Sequence, residues 1–285
     1  GIAPELELKD VLPRFTDEAI HVIERHKKKS SDQALFLYLA YPAPHTPWLP
    51  AKQFRGKSGA GMYGEFTMMV DHMIGRVLSA LDKANVADDT LVIFSSDNGP
   101  VWYEKDVARF GHDSSGGLRG MKADAWECGH RMPLIVRWPG AVPAGSVNKR
   151  LVCFTDFLAT FGELVGVELS EEAGPDSISF YKTLIGQSEP DRSTLVMKSG
   201  SGAMTARQGS WKLITQLGSG GFSEPKRIKP TPGGPVGQLY NLDDDIGEIH
   251  NLYAQKPEVV ARLSEELKRI ERSGSSRPVQ HEKEK

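Results

Sequence analysis

Only two cysteines, Cys128 and Cys153, occur in the 285 residues. Two thiols cannot build a disulfide framework, and they do not report on the redox compartment. No apolar run approaches the ~20 residues that a helix needs to cross a bilayer. The longest, Ala34 to Tyr41, has the length of a buried strand. Neither sign of charge dominates. A net charge of -2 gives no basic field to attract nucleic acid and no acidic excess. Several chemistries lack their signatures: there is no C-x-x-C, no paired-histidine zinc spacing, no G-x-S-x-G elbow, no P-loop spacing and no aromatic–basic RNA motif. The chain opens on Gly1 and shows no charged segment followed by the apolar core of a secretion signal. It has no internal repeats.

What is present is a globular composition, 39% hydrophobic and 25% charged. At ~100–200 residues per domain, the length suits two structural units. Thr16 is a candidate helix N-cap, followed by Asp17 and Glu18 and ending in Lys27 to Lys29, a charge order that suits the helix dipole. The run Ala34 to Ala40 reads as a strand buried on both faces. It gives way to the proline-rich segment Tyr41 to Trp48, which is incompatible with helix or central strand. From Gly61 to Lys83, apolar residues at 63, 66, 70, 73, 74, 77, 78 and 81 mark one helical stripe. Further strands are expected at Thr90–Ser96 and Pro133–Trp138, and a helix at Asp156–Val165.

This rhythm predicts an α/β sheet with helical crossovers. After about Pro190 short strands follow, at Ser193–Lys198, Met204–Arg207, Trp211–Gln216 and Gln238–Asn241, with an amphipathic helix at Pro257–Ile270. The expected division is therefore an α/β part of a large mixed sheet flanked by helices over 1–190, a small antiparallel sheet plus helix over 191–272, and a polar, disordered tail over 273–285.

Asp97 and Asn98 stand where a buried strand gives way to a loop, the end of a strand at which open α/β sheets bind ligands. A carboxylate beside an amide carbonyl offers two hard oxygens, which suit calcium or magnesium better than zinc. The same residues before Gly99 could instead serve only as a turn. His45, in a loop pinned by Pro42, Pro44 and Pro47, could donate a proton to a leaving group or bond an anion. It could equally pack against Trp48. Lys122 follows the glycines at 116, 117 and 120, which let backbone N–H groups approach an anion to which the lysine adds a point charge. A flexible surface loop has the same composition. His112, Asp113, Glu127, His130 and Arg131 flank these loops, and structural or solvent-facing roles are expected of them. Asp71-His72 is expected on a solvated helix face.

Several of these segments together resemble the type I sulfatase family of the alkaline-phosphatase-like superfamily. They are Pro44-His45-Thr46-Pro47-Trp48, the strand and turn Leu91 to Gly99, and Leu118-Arg119-Gly120-Met121-Lys122 through Trp126 to Pro133. Two later ones are Gly209 to Ile214, and Leu239 to Leu242 with Glu248, Asn251 and Leu252. The resemblance implies that Asp97 and Asn98 are two ligands of one divalent cation, usually calcium (Ca2+), with magnesium (Mg2+) as the alternative. It implies that Lys122 holds the sulfate and that His45 contacts the bridging ester oxygen. It also implies a covalent mechanism that needs formylglycine. The paired aspartates and the C-x-[PA]-S-R motif that provide the rest of such a site are absent from these residues. Neither Cys128 nor Cys153 stands in that context, so neither is nominated as nucleophile.

The expectation is thus a C-terminal fragment of a sulfuric ester hydrolase acting on a sulfated small molecule or sulfated glycan. Nucleic acid is not expected as a partner, and a periplasmic or secreted location follows from the resemblance. The alternatives are a phosphodiesterase or phosphonate monoester hydrolase of the same superfamily, or a non-catalytic homologue that binds sulfated glycans.

Overall fold

The first helix, α1 (Val11–Lys28), begins six residues earlier than its expected N-cap allows. Pro13 lies in the first turn, where no intrahelical partner for its missing N–H is needed. Thr16 is instead buried inside the helix, its hydroxyl 2.9 Å from the Leu12 carbonyl and 2.8 Å from the Tyr41 hydroxyl. The buried positions Leu12, Thr16, Ala19 and Ile23 form one stripe, which packs against α2 (Gly61–Lys83). Helix α2 matches its predicted span, and its stripe of Phe66, Met69, Val70 and Met73 builds a core with Leu12 and Phe54. Each such side chain, fully buried, contributes about 1.5–3 kcal/mol. Asn85, at φ 52, turns the chain away after the helix.

The structure is a computed structural model and describes residues 4–29, 33–170, 172–190 and 192–277. The chain forms two compact units. The first comprises Gly1–Val92, Tyr103–His112 and Arg137–Gly140, the second Ile93–Trp102, Asp113–Val136 and Ala141–Lys285. The expected boundary near residue 190 falls inside the second unit.

One expectation for the first unit fails. Residues 34–40 belong to neither sheet, and they are not buried on both faces: Phe36 is 73% and Tyr38 75% exposed. An apolar run becomes a buried strand only where neighbouring strands complete its ladder and cover its faces, and among the described residues no sheet does so.

The strand β1 (Val92–Ser95) is hydrogen-bonded to β2 (Leu134–Arg137), and all but Val92 and Arg137 of the pair belong to the second unit. Both strands are shorter than predicted and only half-buried. Between them in sequence lies the short helix α3 (Glu104–Phe110), which belongs to the first unit. Helix α4 (Asp156–Leu164) starts at a buried carboxylate that accepts the N–H groups of Cys153 and Ile178 and pairs with buried Arg192. A single turn, α5 (Tyr181–Leu184), follows.

The strands β3 (Leu195–Lys198), β4 (Met204–Gln208), β5 (Trp211–Ile214) and β6 (Gln238–Asn241) form one antiparallel sheet in sequence order. Side chains alternate between its faces. One face, with Leu213 and Leu239, packs on Leu263 of α6 (Pro257–Ser273). The other carries Ile214 and Tyr240, which pack on Ala125 and Trp126. Helix α6 has Pro257 at its first turn and Gly274, at φ 68, as its left-handed cap. Beyond it Ser275, Ser276 and Arg277 bond to the 170–176 segment; residues 278–285 of the polar tail lie outside the described residues. No helix among the described residues is long and apolar enough to cross a membrane.

The sequence-derived fold class therefore holds: α/β, with a small C-terminal antiparallel sheet and helix.

Candidate functional site

Strand β1 ends at Ser95, whose hydroxyl donates to the Pro133 carbonyl at 2.8 Å. The next hydroxyl, Ser96, donates to the Asn98 carbonyl at 3.1 Å and closes the turn. Asn98 donates its own amide N–H to the Gly99 carbonyl at 3.1 Å, which leaves its Oδ1 as a bare acceptor. Asp97 is exposed, and no hydrogen bond or ion pair among the described residues holds its carboxylate.

Gly99 explains the turn. Its φ is not in the left-handed region, so it does not serve conformational freedom. A Cβ there would stand 1.6 Å from the Cys128 carbonyl oxygen, and its N–H donates to the Gly129 carbonyl at 3.1 Å. Glycine is required because two loops touch backbone to backbone. The glycine thus answers to close packing and not to the conformational need of an Asx turn.

The second loop carries Lys122. Its backbone N–H donates to the Pro100 carbonyl at 2.8 Å, directly after the Asp97–Gly99 turn. Ala123 adopts φ 72, a conformation that is sterically costly for a residue with a Cβ. It is held there by the Gly200 N–H, which donates to its carbonyl at 2.8 Å. Buried Asp124 accepts N–H groups from Met121, Phe222 and Ser223 at 2.8, 2.7 and 3.1 Å. The Lys122 ammonium, half-buried, has no partner among the described residues.

The glycines do not act as an anion cradle. The N–H groups of Gly116 and Gly117 are directed at Asp113, and Gly120 is needed for its φ of 88 and its closeness to Asp124. Asp113 thus caps its own loop, also binding Ser115.

Behind these loops lies a buried ion cluster. Glu127, 1% exposed, meets Lys212 at 3.0 Å, Arg131 at 2.7 Å, Arg207 at 3.2 Å and His130 at 3.4 Å. Burial raises the pKa of the Glu127 carboxyl, but the hydrogen bond to His130 and the charges of Lys212, His130 and Arg131 prevail and hold it far below the usual carboxylate range. Burial, aided by the charge of Lys212, lowers His130. Burial raises Glu248, the second carboxylate of the cluster. The flanking residues Glu127, His130 and Arg131 are thus part of the frame. Sequence reasoning missed Asp124, and it assigned no role to Lys212 or Glu248. The one available signal was a lysine inside the strand pattern Trp211-Lys212-Leu213-Ile214.

His45 lies in the first unit, whereas Asp97, Asn98 and Lys122 all lie in the second. It is exposed, with Nδ1 2.7 Å from the Thr46 carbonyl oxygen. With the proton on Nδ1, that bond leaves Nε2 as the ring atom open to a ligand. Trp48 stacks edge-on against Tyr63 at 5.7 Å and packs on the α1–α2 core, so it anchors the loop that carries His45.

Asp97 and Asn98 offer two hard oxygens without internal partners, a donor set that fits a calcium or magnesium ion. Among the described residues, no three His, Cys, Asp or Glu side chains converge on a metal position. Asp97 and Asn98 would make up part of a coordination shell of six or more.

Neither cysteine is activated. Burial, with the charges of Asp113 and Asp124, pushes the Cys128 thiol up to about 11. Burial raises Cys153 as well.

The family model described as Sulfatase matches residues 13–167. An N-acetylgalactosamine-6-O-sulfatase of Bacteroides thetaiotaomicron is 34% identical over 274 residues, which cover 92% of this chain and 51% of that protein. A solved sulfatase structure from work on the metabolism of multiple glycosaminoglycans by Bacteroides thetaiotaomicron aligns with a TM-score of 0.80 at 33% identity, covering 93% of this chain and 55% of that one. A sulfatase from Pseudoalteromonas sp., 24% identical, shares the fold at a TM-score of 0.78, covering 99% of this chain and 57% of its own. The chain spans about half the length of these proteins.

Proposed function

The chain belongs to the sulfatase family, and on that premise we propose that the protein carrying it hydrolyses sulfate esters of a sulfated glycan. Asp97 and Asn98 hold part of the calcium shell, and Lys122 and His45 bind the sulfate group. Residues 1–190 are then the C-terminal part of the catalytic α/β domain and 191–272 its small subdomain, in a protein of periplasmic or secreted location.

The observation that carries this reading is the locking of two loops into one piece. The Lys122 N–H binds the Pro100 carbonyl, and Gly99 is pressed against Cys128 and Gly129. On that piece Asp97 and Lys122, without internal partners among the described residues, are one anion and one cation, as a cation-assisted anion site needs.

Calcium, when bound, supplies charge neutralisation at the sulfate oxygens, and formylglycine, whose motif these residues do not include, supplies the nucleophile. Lys122 offers a point charge that offsets the charge developing on the sulfate. In its protonated form, His45 can donate from Nε2 to the bridging oxygen as the alcohol departs. The relative named N-acetylgalactosamine-6-O-sulfatase makes 6-O-sulfated N-acetylgalactosamine the first substrate class to test.

The test is sulfate release by the purified protein from N-acetylgalactosamine 6-sulfate and chondroitin 6-sulfate oligosaccharides, beside 4-nitrophenyl sulfate and bis(4-nitrophenyl) phosphate. Expected are sulfate release, loss of activity with a chelator, its return with calcium, and a rate reduced at least about 100-fold in Lys122→Ala. Phosphodiester cleavage without sulfate release, or glycan binding with no turnover, overturns the proposal.

A further inference from the structure

The buried cluster contains a closed ring. Glu127 Oε1 meets Lys212 Nζ at 3.0 Å, and Lys212 Nζ meets Glu248 Oε1 at 2.9 Å. Glu248 Oε2 then accepts the backbone N–H of Glu127 itself at 2.6 Å. None of the three side chains is more than 1% exposed. The ring therefore grips Glu127 twice, by side chain and by backbone.

The anchor of the ring is rigid. Lys212 sits in β5 with Arg207 of β4 and Tyr240 of β6 as its cross-strand neighbours. These three residues form one rank on the sheet face that meets Trp126. Arg207 reaches Glu127 Oε2, and Arg119, stacked 3.7 Å over the Trp126 ring, donates to the Glu248 carbonyl. Gripped in this way, Glu127 opens a single helical turn, Glu127–Gly129. The next two carbonyls in that turn are the ones Gly99 rests on: Cys128 O lies against its Cα, and Gly129 O accepts its N–H. The path from Lys212 to Asn98 thus runs through one ion pair, a two-residue backbone step and one backbone hydrogen bond.

We propose that Lys212 and Glu248 are positioning residues, which set the height of the 127–129 turn and thereby the placement of Asp97 and Asn98 for their cation. The proposal rests on the cation reading given above. A role in stability alone would not need charges here, because well-packed apolar groups serve at least as well in a buried site. What the ring adds is fixed distances between a sheet and a loop that otherwise lacks regular structure.

The test measures calcium affinity by titration calorimetry on the intact protein and on Lys212→Met, Glu248→Gln and Asp97→Ala. Each is measured well below its own melting temperature, with near-UV circular dichroism confirming the native fold. Outer-shell changes at metal sites weaken affinity by about 10–100-fold. A loss of that size is expected in folded Lys212→Met and Glu248→Gln, against a nearly complete loss in Asp97→Ala. If Lys212→Met does not fold, Glu248→Gln decides, because its amide oxygen still accepts the Glu127 N–H. Wild-type affinity in a folded ring variant overturns the proposal. If the wild-type protein binds no calcium, the cation reading and this inference fall together. If calcium binds, the ring variants weaken it and no sulfate is released, the positioning role stands and only the hydrolase reading fails.

Discussion

Replacing Gly99 by alanine tests the joint between the two loops directly. The added Cβ would sit 1.6 Å from the Cys128 carbonyl oxygen and 2.8 Å from its carbon, whereas real Cβ atoms essentially never come within 3.0 Å of another heavy atom. The obstructing atoms are backbone, so no side chain can swing aside, and the loops must part by about 1.4 Å. Overpacking of this kind costs about 1–3 kcal/mol, and a lost or lengthened Gly99–Gly129 hydrogen bond adds about 0.5–1.5 kcal/mol. At about 2–4 °C per kcal/mol for a protein of this size, the melting temperature should fall by about 3–18 °C. The larger effect is expected on function, because a displacement of about 1 Å at a positioned group can reduce a rate by about 100-fold. Gly116→Ala is the control. Gly116, unlike Gly99, has a positive φ, 62, but a Cβ there meets nothing within 4 Å, so about 1–2 kcal/mol of stability is lost through backbone strain with no change in calcium affinity. The assay pairs thermal melts with calcium titration and sulfate release at a temperature where both variants are folded. If Gly99→Ala keeps wild-type calcium affinity and turnover, the contact between the loops does not position the site and the reasoning is wrong.

Three further outcomes follow from the structure. Cys128, with its thiol pushed up to about 11, should carry about one part in a thousand of thiolate at pH 8 and resist a disulfide reagent in the native protein, reacting only after denaturation; fast native labelling at Cys128, located by mass spectrometry, would contradict this. Ala123→Gly should raise stability by up to about 1 kcal/mol in chemical denaturation, because glycine adopts the φ of 72 without strain; a destabilised variant would refute the strain at this position. His130 has a folded-state pKa below its ordinary 6.5, so the unfolded chain binds the proton more readily and the His130 contribution, full above pH 6.5, is lost as the pH falls below that value. The drop in melting temperature between pH 7.5 and 5.5 should therefore be smaller in His130→Gln than in the wild type, and an equal drop in both would remove His130 as its source.

Legibility in the sequence followed from how local the determining interactions were. Helix α2 was readable to the residue because its stripe repeats through 23 positions. The strands β3 to β6 were readable because turn residues separate short alternating runs. Thr16 misled because the residue type and the acids after it fit a helix start, while the actual start depends on Pro13 being tolerated in the first turn. Residues 34–40 misled because burial of a strand is decided by its neighbours and not by its own composition. Among the candidate site residues, Asp97, Asn98 and Lys122 stand out in the sequence because they end apolar or glycine-rich segments. Asp124 could not: its three N–H partners come from residue 121 and from residues 222 and 223, contacts that exist only after folding. The same holds for the ring, whose members are 85 and 121 positions from Glu127.

Pairs of like residues separate the frame from the site. Lys212 and Lys122 belong to the same unit, yet Lys212 is fully buried with carboxylates at 3.0 and 2.9 Å, while Lys122 is half-buried with no counter-charge among the described residues. Asp124 accepts three backbone N–H groups, and Asp97, across the same pair of loops, accepts none among the described residues. Asp97, exposed, and Lys122, half-buried, keep their charges available to solvent or to a ligand of opposite charge. A flexible surface loop would show the reverse: loose backbone, with side chains free to find partners. Here the backbone is fixed by glycine contacts, a strained Ala123 and a buried ion ring, and the charges it presents are held ready. That combination, rigid support beneath unsatisfied groups of opposite sign, is what preorganised electrostatic catalysis requires. It is the physical support for the proposal that these loops form part of a binding site.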